Sequence, residues 1–187
     1  MENIIDILNQ FAKISEEVRA DLSNFLSEID LPKGKLLLKN GKICQSIYFI
    51  KTGAVRGYYS MDGKEVTSWF AFEKDIFTSL YSLLNQKPSL YSIEILEDSS
   101  LDRLNYDDLQ YLYKKYPEFN LIGRLITEKY YCELDERTFS LQFLSAQDRY
   151  RQLIEQQPQL LQRASLGHIA SYLGISQETL SRIRARF

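Results

Sequence analysis

A chain of 187 residues, 44% of them hydrophobic, has room for one large or two small domains around a true core. It has no apolar stretch of the ~20 residues a membrane span needs, and no early apolar run behind a basic start. Neither a transmembrane helix nor a signal peptide is therefore expected, and a cytoplasmic location is. The net charge of −2 is unevenly divided: from Ser145 onward Arg149, Arg151, Arg163, Arg182, Arg184 and Arg186 oppose Asp148, Glu155 and Glu178, a balance of +3 against −5 on the preceding 144 residues. A basic end on an acidic body suits a DNA-binding piece joined to a sensing or assembly piece.

In chain order, Ile4, Ile5, Ile7, Leu8 and Phe11 mark a first helix. Val18, Leu22, Phe25, Leu26 and Ile29 recur at helical spacing behind the N-cap candidate Ser15, predicting a second helix to Ile29. From Leu31 the period changes to two, with turn pairs at Lys33-Gly34, Asn40-Gly41, Thr52-Gly53 and Asp62-Gly63. Turn signals every ~10 residues favour an all-β sandwich or barrel. The strand candidates are 35–39, 46–51, 54–60, 65–72, 89–96 and 99–105, with Asp62-Gly63 closing the clearest hairpin. Helical spacing returns over 106–115. Pro117 then opens a long helix to about Phe139, carrying one apolar stripe of Phe119, Ile122, Ile126 and Tyr130 and a second of Leu121, Leu125 and Cys132. Two stripes fit a helix that packs on its own domain and on a second copy, making 117–139 the expected dimer spine. Ser145 and Asp148 form a capping-box-like start to a helix with Tyr150, Leu153 and Ile154 inward, ended by Pro158.

The last stretch, SLGHIASYLGISQETLSRIRAR, is the most specific. Ser165 and Ser176 are N-cap candidates, and Gly174 can take the left-handed conformation of a tight turn. Ile169, Leu173, Ile175, Leu180 and Ile183 place one apolar stripe on each of two short helices, with small Ala170 where they cross. Gln177, Glu178, Ser181, Arg182 and Arg184 remain on the outer face of the second helix, as in a helix-turn-helix that reads DNA. The ordinary alternative is an amphipathic hairpin with a solvated face.

This order of parts resembles the cyclic-AMP receptor protein / fumarate–nitrate reductase regulator family. The resemblance rests on the PKGKLLLKNGK and SIYFIKTGAVRGYY runs, and on Glu178-Thr-Leu-Ser181-Arg182, which matches the E-x-x-S-R pattern of the fumarate–nitrate branch. It implies an α+β chain: a double-stranded β-helix (jelly roll) of the cyclic-nucleotide-binding type over 1–115, a dimerisation helix over 116–140 and a helix-turn-helix over 145–187. The sequence ends at Phe187 with no residues for a β-hairpin wing, so a wingless motif is expected. The base-reading residues implied are Gln177, Glu178, Ser181 and Arg182. Independently, Glu178 can accept from a cytosine amino group, and Arg182 can donate two bonds to guanine. Four residues apart on one face, the two can also pair with each other. Ser165, Thr179, Arg184 and Arg186 are the phosphate-contact candidates.

Two departures matter. Thr78-Ser79-Leu80 stands where the family's nucleotide binders have Gly-Glu-Leu, and Ser89-Leu90-Tyr91 where they have Arg-Ser-Ala. The acid for the ribose and the guanidinium for the phosphate are both gone, and a buried phosphate without a counter-charge is strongly disfavoured. Cyclic AMP is thus not expected to bind by the usual contacts, and Lys87, before Pro88, reads as a solvated loop residue. Trp69, Phe70, Phe72, Phe77, Tyr81 and Tyr91 gather in the same region, either filling the roll or lining a pocket for an unknown small-molecule effector. Its candidate lining is Trp69, Phe77, Ser79, Tyr81, Ser89 and Tyr91. Cys44 and Cys132 cannot supply the four thiolates of an iron–sulfur cluster and read as buried free thiols. The single histidine, His168, reads as an exposed helix residue near a DNA phosphate. No metal or cofactor is expected, and without histidines between 31 and 105 or a nucleophile–base set, neither is an enzyme. The remaining alternative is a ligand-binding or scaffold module with a vestigial DNA-binding end.

Overall fold

The computed structural model describes residues 2–186. Two helices, α1 (Glu2–Asn9) and α2 (Glu16–Phe25), precede the strands β1 (Ser27–Leu31), β2 (Leu36–Leu38), β3 (Ser46–Thr52), β4 (Val55–Met61), β5 (Lys64–Ala71) and β6 (Ile76–Phe77). A short helix α3 (Leu80–Asn85) separates these from β7 (Ser92–Ile95) and β8 (Ser99–Asn105). The chain ends in α4 (Tyr106–Lys115), α5 (Pro117–Phe143), α6 (Ala146–Gln156), α7 (Leu160–Arg163), α8 (Leu166–Tyr172) and α9 (Gln177–Arg184).

The strands form two four-stranded sheets, β1-β8-β3-β6 and β2-β7-β4-β5, with every pairing antiparallel. Their inner faces meet across Tyr48, Ile50, Val55, Phe77, Ile93, Ile95 and Leu101, giving the expected jelly roll. The hairpin at Asp62-Gly63 is a two-residue turn with both residues at positive φ, 52° and 76°, as a type I′ connection requires. Gly57 leaves space for the indole of Trp69 on the facing strand, which any side chain there would strike.

Some sequence expectations are corrected. The second helix stops at Phe25 rather than Ile29, because residues 27–31 pair along β8 as β1. Ile29 and Leu31 then pack on the roll core with the spacing of a strand. The strand over 89–96 contracts to Ser92–Ile95, while β6 and α3 were not anticipated. The long helix runs one turn past Phe139, to Phe143.

A second core joins α1 and α2 to α4 and the start of α5 through Ile4, Leu8, Val18, Leu22, Leu112, Phe119 and Ile122. A third joins the roll to the C-terminal helices: Ala54, Phe72 and Leu96 are continuous with Tyr150, Leu160, Ile169, Leu173 and Leu180. The second half of α5 lies outside all three cores. Tyr131, Leu134, Phe139, Leu141 and Phe143 are exposed along it, and so is Cys132, which was expected to be buried. Cys44 is buried as expected.

Candidate nucleic-acid interface

The helix-turn-helix is assembled by local capping. Ser165 Oγ accepts from the His168 amide and starts α8; Ser176 Oγ accepts from the Thr179 amide and starts α9. Between them α8 ends in a Schellman motif: the Ile175 amide donates to the Ala170 carbonyl, the Gly174 amide to that of Ser171, and Gly174 sits at φ 66°. Ile169, Ala170, Leu173, Leu180 and Ile183 are buried between and behind the two helices. Burying that face fixes the opposite one, on which Gln177, Glu178, Ser181, Arg182 and Arg184 are all exposed.

The base-reading candidates are therefore brought together on one surface. Arg182 does not use the Glu178 carboxylate as the sequence allowed. Its Nε donates to the Glu178 carbonyl (3.4 Å) and its Nη2 to Thr179 Oγ1 (3.3 Å). The Glu178 carboxyl is held below its usual range chiefly by a hydrogen bond from Ser176. Both charged groups thus remain at the surface, oriented by α9 itself. Gln177 folds its amide over Gly167 of α8, where a Cβ would meet Gln177 Nε2 at 2.6 Å. Among the phosphate candidates Ser165, Arg184 and Arg186 are exposed, while the Thr179 hydroxyl is engaged by Arg182 and Ser176.

The basic charge of this end is only partly available. Arg149 donates to the carbonyls of Leu173 (3.0 Å) and Leu144 (2.7 Å), fastening the turn to α6. Arg163 donates two 2.7 Å bonds to Glu73 and one of 2.5 Å to Glu97, fastening α7 to the roll. Hydrogen bonding from Arg163 pulls the Glu73 carboxyl down to about 2. The exposed guanidinium groups of this end are those of Arg182, Arg184 and Arg186, with Arg151 on α6 paired to Asp148.

Helix α8 faces the outer side of the β2-β7-β4-β5 sheet. Tyr172 packs on Phe70 with ring centroids 5.3 Å apart, and the Arg137 guanidinium lies over the Tyr172 ring, 3.8 Å from its centroid. The Thr67 amide donates to Ser171 Oγ at 3.1 Å. Beneath α8 lies buried Arg56, whose guanidinium binds Glu94 (Nε, 2.7 Å) and Glu65 (Nη2, 2.5 Å) and stacks over Tyr58. His168 belongs to this interface: α8 turns it toward the roll, half-buried, not toward solvent as expected. Burial and the Arg56 guanidinium lower its pKa, favouring the neutral ring.

The aromatic residues expected to cluster near the altered nucleotide cassette divide between two faces. Trp69, Phe77 and Tyr91 turn inward, with Trp69 5.8 Å from Phe77 and 6.1 Å from Tyr91. Phe70 and Phe72 alternate to the outer face and pack against the C-terminal helices, while Tyr81 is exposed on α3. At the cassette itself Ser79 Oγ and Ser89 Oγ are 2.8 Å apart, Ser89 Oγ donates to the Tyr91 carbonyl, and Tyr91 Oη donates to that of Thr78. Burial pushes the Tyr91 phenol up to about 12, so the ring is neutral. Lys87 points to solvent.

Residues 28–116 match the sequence profile of the cyclic nucleotide-binding domain. The regulatory protein HlyX of Actinobacillus pleuropneumoniae is 24% identical, over 93% of this chain and 77% of its own. FixK2 from Bradyrhizobium japonicum superposes with a TM-score of 0.76 at 19% identity, covering 86% of this chain and 83% of that one. For the catabolite activator protein of Thermus thermophilus the TM-score is 0.61 at 24% identity, covering 96% and 85%. Helix order and paired sheets agree with these likenesses: residues 28–116 are a cyclic nucleotide-binding domain, and the chain as a whole is similar in fold to these proteins.

Proposed function

We propose that the chain is a sequence-specific DNA-binding transcription regulator that works as a homodimer, with α9 entering the major groove of palindromic half-sites. The observation that carries this reading is the division of α9: Leu180 and Ile183 are buried, while Glu178, Ser181 and Arg182 share a free face. A guanidinium and a carboxylate one turn apart can address a C·G pair, and Arg184 and Arg186 can position the motif on phosphates. Dimerisation is supported by the exposed apolar row Tyr131, Leu134 and Leu141 on α5. A second α5 laid along it would bury these side chains and set two α9 helices side by side. Helix-turn-helix dimers bind half-sites about 34–36 Å apart.

Selection from a random DNA pool tests the proposal. A palindrome with half-sites about one turn apart is the expected product, with affinity falling steeply as salt rises. Sequence-independent binding, or none, would leave the helix-turn-helix vestigial on a ligand-binding scaffold. A charge introduced by Leu134→Asp is expected to give monomers by sedimentation and to abolish tight operator binding.

The regulator does not take cyclic AMP by the family's usual contacts. Ser79, Ser89 and Tyr91 satisfy one another where the acid and guanidinium would stand, and the nearby Lys87 is outside. Calorimetry with cyclic AMP and cyclic GMP should show no micromolar binding. If an effector enters this region, its lining is Trp69, Phe77, Ser79, Ser89 and Tyr91, with exposed Tyr81 at the rim.

A further inference from the structure

We propose that Glu65, Glu94 and His168 form a binding site for a divalent transition-metal ion of the zinc class, tying α8 to the β roll. The three residues come from β5, β7 and α8, so no spacing in the sequence announces them. One ligand atom from each lies within 4.8 Å of the other two. Ligands of a single zinc ion sit at about 2.0–2.2 Å from it, so small side-chain adjustments bring this set into range.

Three features make the cluster more than a salt-bridged surface. Arg56 bonds to Oε2 of Glu94 and Oε2 of Glu65, leaving the second oxygen of each carboxylate for an ion. His168 Nδ1 is buried with no hydrogen-bond partner, a state that native proteins seldom tolerate without a ligand or water. Glu94 and His168 also line a cavity of about 120 Å³, together with Ser165 and Arg163, which gives space for water to complete the coordination sphere. Two carboxylates and one guanidinium leave the cluster at −1 while the imidazole is neutral; Lys33 and Arg163 border the same cavity, Arg163 being neutralised by Glu73 and Glu97. One nitrogen and two oxygens suit zinc, cobalt or nickel better than calcium or magnesium, which prefer all-oxygen shells. Since two ligands belong to the roll and one to the helix-turn-helix, a bound ion stabilises their present arrangement. This inference stands whether or not α9 reads DNA.

The test uses the full chain carrying Cys132→Ser, which removes an exposed cysteine sulfur that could bind metal by itself. After chelator dialysis, zinc chloride is titrated by calorimetry and cobalt(II) is followed by visible absorption. The expected result is one ion per chain, a melting temperature that rises with free zinc, and weaker binding in acid, where protons compete for the ligands. His168→Ala and Glu94→Gln should each weaken binding at least about tenfold. Glu65→Gln, at an exposed position, and His168→Gln, which keeps a polar side chain, provide folded variants if either of the first two unfolds. Absence of saturable binding at ~100 μM ion, or binding unchanged in the folded His168 variant, overturns the proposal.

Discussion

Helices α8 and α9 are neighbours in one motif and similar in length, yet they are committed to opposite tasks. Helix α8 gives its apolar residues to the motif's core and its polar ones to the roll: Ser171 to Thr67, His168 to the Arg56 cluster, Tyr172 to Phe70. Helix α9 gives only Leu180 and Ile183 inward, and its polar residues engage nothing beyond the motif itself. Under the proposed function, the face that meets the roll and the face that meets DNA are thus divided between two helices. A change on α8 reports on coupling, and a change on the outer face of α9 reports on recognition.

That division can be broken at three levels. The largest effect is expected at Leu180, fully buried where the helices meet. Leu180→Ala should cost about 2–5 kcal/mol and separate the helices, lowering the melting temperature and DNA affinity together. Next is Arg182→Ala, which should leave stability within about 0.5 kcal/mol, as surface substitutions do. It should remove about 1–3 kcal/mol of discrimination at one base pair, visible in a competition assay with single-base operator variants. Loss of affinity spread evenly over all variants would make Arg182 a phosphate contact instead.

The smaller effects concern the roll side. Arg163→Ala should loosen α7 and α8 from the roll by about 1–2 kcal/mol, since the pair is partly exposed and screened. Faster amide exchange in the Arg163 region, with the roll strands unchanged, is the measurement. The same contact gives a pH window. Glu73 has its carboxyl lowered from 4.5 to about 2, so its stabilising effect is complete above pH 4.5 and fades as pH falls toward 2. Arg163→Ala should flatten that part of the pH–stability curve, and an unchanged curve would show that Glu73 titrates without it.

Most of the architecture was legible because its signals are local. Ser165, Gly174 and Ser176 act through bonds to residues at most a few positions away, and Asp62-Gly63 sets its hairpin by its own backbone angles. The errors have long-range causes. Ile29 fits a helix by spacing alone, and only the presence of β8 beside 27–31 makes that stretch a strand. Phe70 and Phe72 lie in the apolar run of 69–72, which period-two reading places in one cluster region. The strand alternates normally, but both of its faces are covered, the outer one by a helix a hundred residues further along. His168 was misread for the same reason: its helix is visible in the sequence, but not what that helix faces.

By itself, then, the sequence determined most of the elements, the serine caps, the helix-turn-helix pattern and the loss of the cassette's acid and guanidinium, since each depends on neighbouring residues or on which residue types are present. Only the tertiary structure decided that the C-terminal helices share a core with the roll, that Arg149 and Arg163 are spent on holding them there, and that Glu65, Glu94 and His168 meet. Those outcomes depend on which surfaces come to lie against each other, and that is settled by burial of apolar area across the whole chain, not by any spacing along it.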